Sequence, residues 1–205
     1  MRLLRTLFVS VALILAGGFV VYAATDRLQA FTTEAARRIA VRQHPVDIPP
    51  VTLETQSGAR IDVTGLHGKW LLVDFIYTRC PTYCVALGSE FAQLQDRLGG
   101  PLAKGAVELV SISFDPAHDT PPELAAYLQR ARSRGAGWLA ARPIGRDGLD
   151  QLETSFGITV IADGMGGYTH NAAIHVVDPQ GRLIEIIDSG QSDLAARTVL
   201  EKLRP

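Results

Sequence analysis

The sequence predicts an α/β domain, a mixed sheet with helices on both faces, preceded by one transmembrane helix. Three observations carry this reading. An uncharged run from Thr6 to Ala24 is long enough to cross a bilayer as a helix. Beyond it, short near-continuous apolar runs alternate with stretches of helical spacing, which implies parallel strands joined by right-handed crossovers. Two late strand-like runs meet at the tight turn Asp178-Pro179-Gln180-Gly181, which adds an antiparallel edge.

At the N-terminus, Arg2 and Arg5 precede the apolar run, and Asp26 and Arg27 follow it. Positive charge on the N-terminal side keeps that end in the cytoplasm and exports the remainder. Two fates fit: a retained anchor, or a signal peptide cut near Val21-Tyr22-Ala23. The run exceeds a usual signal core, which favours the anchor. Thr25 to Arg42 can continue as an amphipathic helix with Leu28, Phe31, Ala35 and Ile39 on one face. His44-Pro45-Val46-Asp47-Ile48-Pro49-Pro50 breaks any helix and reads as an extended spacer. The expected organisation is residues 1–24 as anchor or signal, 25–50 as amphipathic stretch and spacer, and 51–205 as the globular domain.

Within that domain, Val51 to Thr55 and Arg60 to Val63 flank Gln56-Ser57-Gly58 and suggest a hairpin. Trp70 to Tyr77 carries a single Asp in an apolar run, the pattern of a strand buried on both faces. Leu87, Phe91, Leu94 and Leu98 have helical spacing, ended by Gly99-Gly100-Pro101. Val107 to Phe114 is the next buried strand. Thr120-Pro121-Pro122-Glu123 reads as a capping box opening a helix, with Leu124, Leu128 and Ala131 on its apolar face. A shorter helix starts at Asp147. Strands follow at Ile158 to Ala162, Ala172 to Val177 and Arg182 to Ile187. Ala196, Val199, Leu200 and Leu203 stripe a closing helix.

A formal charge of −1 sets aside nucleic acid as a partner, because phosphate binding needs a basic surface. The chain has two cysteines, Cys80 and Cys84, in Tyr77-Thr78-Arg79-Cys80-Pro81-Thr82-Tyr83-Cys84. They fall where the first long buried strand hands over to a helix. In a helical turn their α-carbons lie roughly 6 Å apart, which suits a disulfide or two sulfurs facing one ion. Helix N-terminal amides, and Arg79 if near, favour the thiolate. Three readings stand. A structural disulfide would close a short loop and stabilise little. A redox disulfide usually has the shorter C-x-x-C spacing. Metal chelation by two thiolates selects soft or borderline ions such as Cu(I) or Zn(II). Structural zinc needs four protein ligands, whereas copper accepts three.

A third ligand has to come from elsewhere. Of the five histidines, His44 sits in the spacer and His67 in a turn. His118 lies just past a strand, close enough to support a site from outside. His175 reads as a satisfied strand residue. His170 follows Gly164-Met165-Gly166-Gly167 and opens a strand expected beside the cysteine-bearing one, so it can approach the cysteines. Met165 is a soft donor but reads more simply as a loop filler.

The cysteine motif, then Ile112-Ser113-Phe114-Asp115-Pro116-Ala117-His118-Asp119-Thr120-Pro121, then Tyr168-Thr169-His170 and Asp178-Pro179-Gln180-Gly181, together resemble the Sco/SenC family. The resemblance extends over nearly the whole domain from about Val51. It implies a thioredoxin-like fold that binds copper, as Cu(I) and Cu(II), through Cys80, Cys84 and His170. It further implies a metallochaperone role in assembling the dinuclear copper A centre of cytochrome c oxidase. Partners would be subunit II or a similar copper protein, and other envelope copper carriers. Some relatives resemble thiol–disulfide oxidoreductases that reduce the target's cysteines, which makes Cys80 and Cys84 a redox-capable pair under the alternative. A copper- or redox-sensing regulator is a third class. Reductases of this fold carry a proline before the strand facing the cysteines, where this chain has Thr169-His170-Asn171. Val85 replaces a proline often found after the second cysteine, His118 replaces a common arginine, and Asn171 stands where threonine or serine is frequent. With the N-terminal run, the implied location is the bacterial inner membrane, single-pass, with the domain in the periplasm.

Overall fold

The apolar run forms helix α1 (Arg2–Ala24). Its 23 residues rise about 35 Å at ~1.5 Å each, enough for a hydrocarbon layer of about 30 Å. The helix is long and apolar enough to cross a membrane. It does not run on into an amphipathic continuation from Thr25. Asp26, Arg27 and Leu28 take φ values of 45°, 61° and 66°, in the left-handed region that a right-handed helix cannot contain. Thr25 closes the break, its hydroxyl oxygen accepting the Leu28 N–H at 3.1 Å. Helix α2 (Thr33–Gln43) begins afresh, with the Thr32 hydroxyl capping the Ala35 N–H at 3.1 Å. Leu28 and Phe31, expected on a shared helix face, are exposed instead.

The computed structural model describes residues 2–79, 83–135, 137–164 and 166–204, and for 83–87 the backbone alone. The chain divides into two compact units, Met1–His44 and Pro45–Pro205. The second unit starts inside the stretch read as spacer: β1 (Val46–Asp47) pairs antiparallel with β10 (Arg182–Asp188).

The remaining elements follow in chain order. Hairpin β2 (Thr52–Thr55) and β3 (Arg60–Asp62) leads to β4 (Trp70–Ile76), α3 (Tyr83–Arg97) and a short α4 (Gly99–Ala103). Then come β5 (Val107–Ser113), α5 (Pro121–Arg130), β6 (Trp138–Pro143) and α6 (Arg146–Phe156). A small hairpin, β7 (Val160–Ala162) and β8 (Tyr168–His170), precedes β9 (Ala173–Val177), β10 and α7 (Ser192–Lys202). Among the described residues the main sheet has the order β1-β10-β9-β4-β5-β6-β2-β3, and β7-β8 is a sheet of its own. The centre is parallel, β4 with β5 and β5 with β6. β9 and β2 join it antiparallel on the two sides.

Alternation along β4 sorts the two faces. Phe75 packs edge-on to Phe156 of α6, with ring centroids 5.1 Å apart. On the other face Phe91 of α3 meets Trp138 at 5.7 Å. Helices therefore cover both faces, as expected.

β6 was not foreseen, because Trp138-Leu139-Ala140-Ala141-Arg142-Pro143 lacks alternation and ends in proline. Its nearly continuous burial suits a position between two other strands. Gly99 does not simply end α3 but opens α4. The capping box at Thr120 is not made: its side chain caps nothing. The Thr120 N–H, which Glu123 would have reached, already donates to the His118 carbonyl at 2.9 Å.

Candidate metal centre

β4 carries the chain to Tyr77-Thr78-Arg79, and the next carboxylates fix how it leaves the sheet. Asp119, fully buried, accepts the Thr78 N–H at 3.1 Å, the Thr78 hydroxyl at 2.7 Å and the Ser113 hydroxyl at 2.5 Å. Burial pushes its carboxyl above the ordinary value, against the pull of the Ser113 and Thr78 bonds. Asp115 accepts from the Arg79 guanidinium at 2.8 Å and from His118 Nδ1 at 2.8 Å. The Arg79 guanidinium also lies 3.1 Å from the same His118 Nδ1, so the three side chains form one cluster. The loop after β5 thus grips Thr78 and Arg79, the segment before Cys80, through two carboxylates. Neither grip was legible in the sequence, although both acids belong to the Asp115-Pro116-Ala117-His118-Asp119 stretch singled out there.

Cys80 and Met165 lie outside the described residues. The backbone of Cys84 sits in the first turn of α3.

His170 closes β8; it does not open the strand next to β4. That neighbour is β9, which pairs with β4 from Leu71 to Val73. Asn171 and Ala172 separate the two strands, so His170 and His175 belong to different strands. Asn171 is taken up locally: its Oδ1 accepts the Thr159 N–H at 2.7 Å and its Nδ2 donates to the Gly157 carbonyl at 2.9 Å.

The His170 ring lies 4.9 Å from the Phe114 ring, centroid to centroid. Both its ring nitrogens are buried and have no hydrogen-bond partner among the described residues. Burial lowers its pKa below the ordinary value, so near neutral pH the ring keeps a free lone pair. A buried imidazole with neither nitrogen satisfied costs free energy unless something supplies a bond. A metal ion would do so, and a neutral imidazole nitrogen is a donor that suits copper. His175, by contrast, is a strand residue with Nδ1 3.2 Å from the Val73 carbonyl, wedged between Phe75 and Phe156. His118 stands at an open groove of about 850 Å³ that Phe114, Tyr168, Arg142 and Arg146 also line. Among the described residues, no three His, Cys, Asp or Glu side chains gather as a metal-binding group.

Sequence reasoning also passed over Asp74, on the face of β4 that looks toward α3. It is completely buried, and neither carboxyl oxygen has a hydrogen-bond partner among the described residues. Burial raises its pKa to about 7; nearby Ser111, outside hydrogen-bond geometry, opposes the rise and the Glu90 charge adds to it.

A family model for SCO1/SenC matches residues 42–204. The chain belongs to the SCO1/SenC family. The SCO1 protein homolog of Bacillus subtilis (strain 168) is 23% identical over 141 residues, 68% of this chain and 72% of that protein. The solved structure of Arabidopsis thaliana ScoI with copper bound superposes with a TM-score of 0.66 at 19% identity, covering 76% of this chain and 97% of that one. The structure of BsSco, described as a Sco-family cytochrome c oxidase assembly protein with a disulfide switch, gives a TM-score of 0.66 at 21% identity, covering 78% and 96%. The fold is the thioredoxin-like Sco fold, carried behind an N-terminal apolar helix.

Proposed function

We propose that this SCO1/SenC protein is a copper metallochaperone holding its cargo through the thiolates of Cys80 and Cys84 and one imidazole nitrogen of His170. The observation that carries the reading is the buried His170 ring, with both nitrogens lacking a partner among the described residues. Support comes from the copper bound in the Arabidopsis relative and from the family match across the domain. Two thiolates and a neutral imidazole suit Cu(I) and tolerate Cu(II). The chain's own residues then have separable tasks. Asp119 and Asp115 hold Thr78 and Arg79, and with them the approach to Cys80. Burial favours the unprotonated form of His170.

The destination we propose is the dinuclear copper A centre of cytochrome c oxidase subunit II, or a similar copper protein, consistent with the assembly role of BsSco. Other envelope copper carriers would exchange with the same site. The helix α1 would hold the domain at the periplasmic face of a bacterial inner membrane, by the distribution of Arg2 and Arg5.

The disulfide switch of BsSco supports a second reading, reduction of a target's cysteines by the Cys80–Cys84 dithiol. Anaerobic titration of the reduced protein with Cu(I), and separately with Cu(II), discriminates. The chaperone reading expects one copper per chain, thiolate-to-copper charge-transfer absorption in the Cu(II) form, and most of the affinity lost in Cys80→Ser, Cys84→Ser and His170→Ala. Stoichiometric copper retained by all three variants would reject it.

A further inference from the structure

The hairpin that bears His170 is weakly founded. β7 and β8 have three residues each and, among the described residues, share no ladder with the main sheet. An isolated two-stranded hairpin is marginal in water. Its tip is closed locally, the Asp163 N–H donating to the Gly167 carbonyl at 3.0 Å and the Gly167 N–H to Asp163 Oδ1 at 2.9 Å. Its base is closed by Asn171. Neither closure ties β8 to β4, the strand that leads to the cysteines.

Tyr77 does. It is buried at the end of β4, and its hydroxyl oxygen accepts the Tyr168 N–H at 3.3 Å and donates to the Tyr168 carbonyl at 3.5 Å. These are the two bonds that a residue of a neighbouring strand would exchange with Tyr168. The rings reinforce them. Tyr77 meets Tyr168 edge-on at 5.2 Å and Phe114 at 5.3 Å. Phe114 touches Tyr168 at 5.7 Å and His170 at 4.9 Å. Tyr168 and His170 are two apart on one strand, so they share a face, and that face rests on Phe114. The approach is close enough that a Cβ on Gly167 would stand 3.2 Å from the Tyr77 hydroxyl.

We infer that Tyr77 is the positioning residue for His170: its hydroxyl acts as a one-residue strand that pins β8 to the end of the strand leading to the cysteines. The same short stretch, Tyr77 to Cys84, then supplies both thiolates and the brace for the third ligand. This rests on the copper reading above. Groups that orient metal ligands from behind change affinity by roughly 10- to 100-fold on removal. The long bonds here put the effect at about the lower bound of that range.

The test uses the full chain in detergent micelles, as wild type, Tyr77→Phe and His170→Ala. Phenylalanine keeps the ring packing and removes only the hydroxyl. In the copper-free protein, hydrogen exchange at the Tyr168 amide should accelerate about tenfold in Tyr77→Phe, while core amides at Val73 and Val110 keep their protection. With Cu(I) as probe, release to a chromophoric chelator should quicken by roughly tenfold at unchanged stoichiometry. If His170→Ala releases copper no faster than wild type, the ligand set itself is wrong and the inference falls with it. If His170→Ala releases copper rapidly but Tyr77→Phe matches wild type in either Tyr168 exchange or copper release, the brace alone is refuted.

Discussion

Replacing Asp74 by Asn should change how stability depends on pH, and the size of the change can be worked from the burial of this one carboxyl. Its pKa rises from 3.8 to about 7 in the folded chain. Between those values the folded protein keeps a proton that the unfolded chain has released, so the folded state loses stability as pH rises. At ~1.4 kcal/mol per pH unit the loss comes to about 4 kcal/mol once both states are ionised. From pH 5 to pH 8 it is about 2.5 kcal/mol, nearly all of it spent below pH 7.5. Other groups titrate in the same window, and His170, with its lowered pKa, works in the opposite direction. Their contributions cancel in the difference between variant and wild type. Asn is isosteric and leaves a buried polar amide, whose cost does not vary with pH. Urea unfolding of both proteins at pH 5, 6, 7 and 8 therefore isolates the carboxyl. Asp74→Asn should gain on wild type by about 2.5 kcal/mol across that range. Parallel stability profiles would show that Asp74 is already ionised at pH 5 and that the burial argument is wrong.

Two further outcomes bear on the segment leading to Cys80 and on the β9–β10 turn at the opposite end of β4. Asp119→Ala strands the Thr78 N–H and the hydroxyls of Thr78 and Ser113, and should cost about 3 kcal/mol in chemical unfolding, from ~1–3 kcal/mol per buried group left unsatisfied; an unchanged midpoint would contradict the clamp. Gly181 has φ +82°, and a Cβ there would stand 2.1 Å from His67 Nε2. Gly181→Ala should lower stability by about 1–2 kcal/mol through left-handed strain alone, with an additional loss that disappears in the His67→Ala background; strictly additive single and double variants would refute the ring contact.

Much of the fold was legible because its signals are local. The buried run of β4, the helical spacing in α3 and the turn at Asp178–Gly181 each declare themselves within a few residues. β6 did not, because Ala140, Ala141 and Pro143 have little strand character until two neighbours bury them. The break after α1 was hidden too, since nothing in Asp26-Arg27-Leu28 marks a left-handed run. At the site, the motif resemblance named Cys80, Cys84 and His170 but not what holds their surroundings. Asp119 reaches back 41 residues to Thr78, and Tyr77 reaches forward 91 to Tyr168. Contacts at such separations leave no periodicity to read. Asp74 was visible as a lone charge in an apolar strand, yet only the absence of a hydrogen-bond partner among the described residues turns it from a tolerated exception into a titrating group.

The proposed copper site needs an imidazole joining two sulfurs around one ion. Copper K-edge X-ray absorption on the Cu(I)-loaded full chain counts those neighbours directly. The predicted spectrum contains two sulfur scatterers and one histidine nitrogen, and the nitrogen contribution vanishes in His170→Ala. A wild-type spectrum with sulfur neighbours alone, identical to that of the variant, would contradict the assignment of His170.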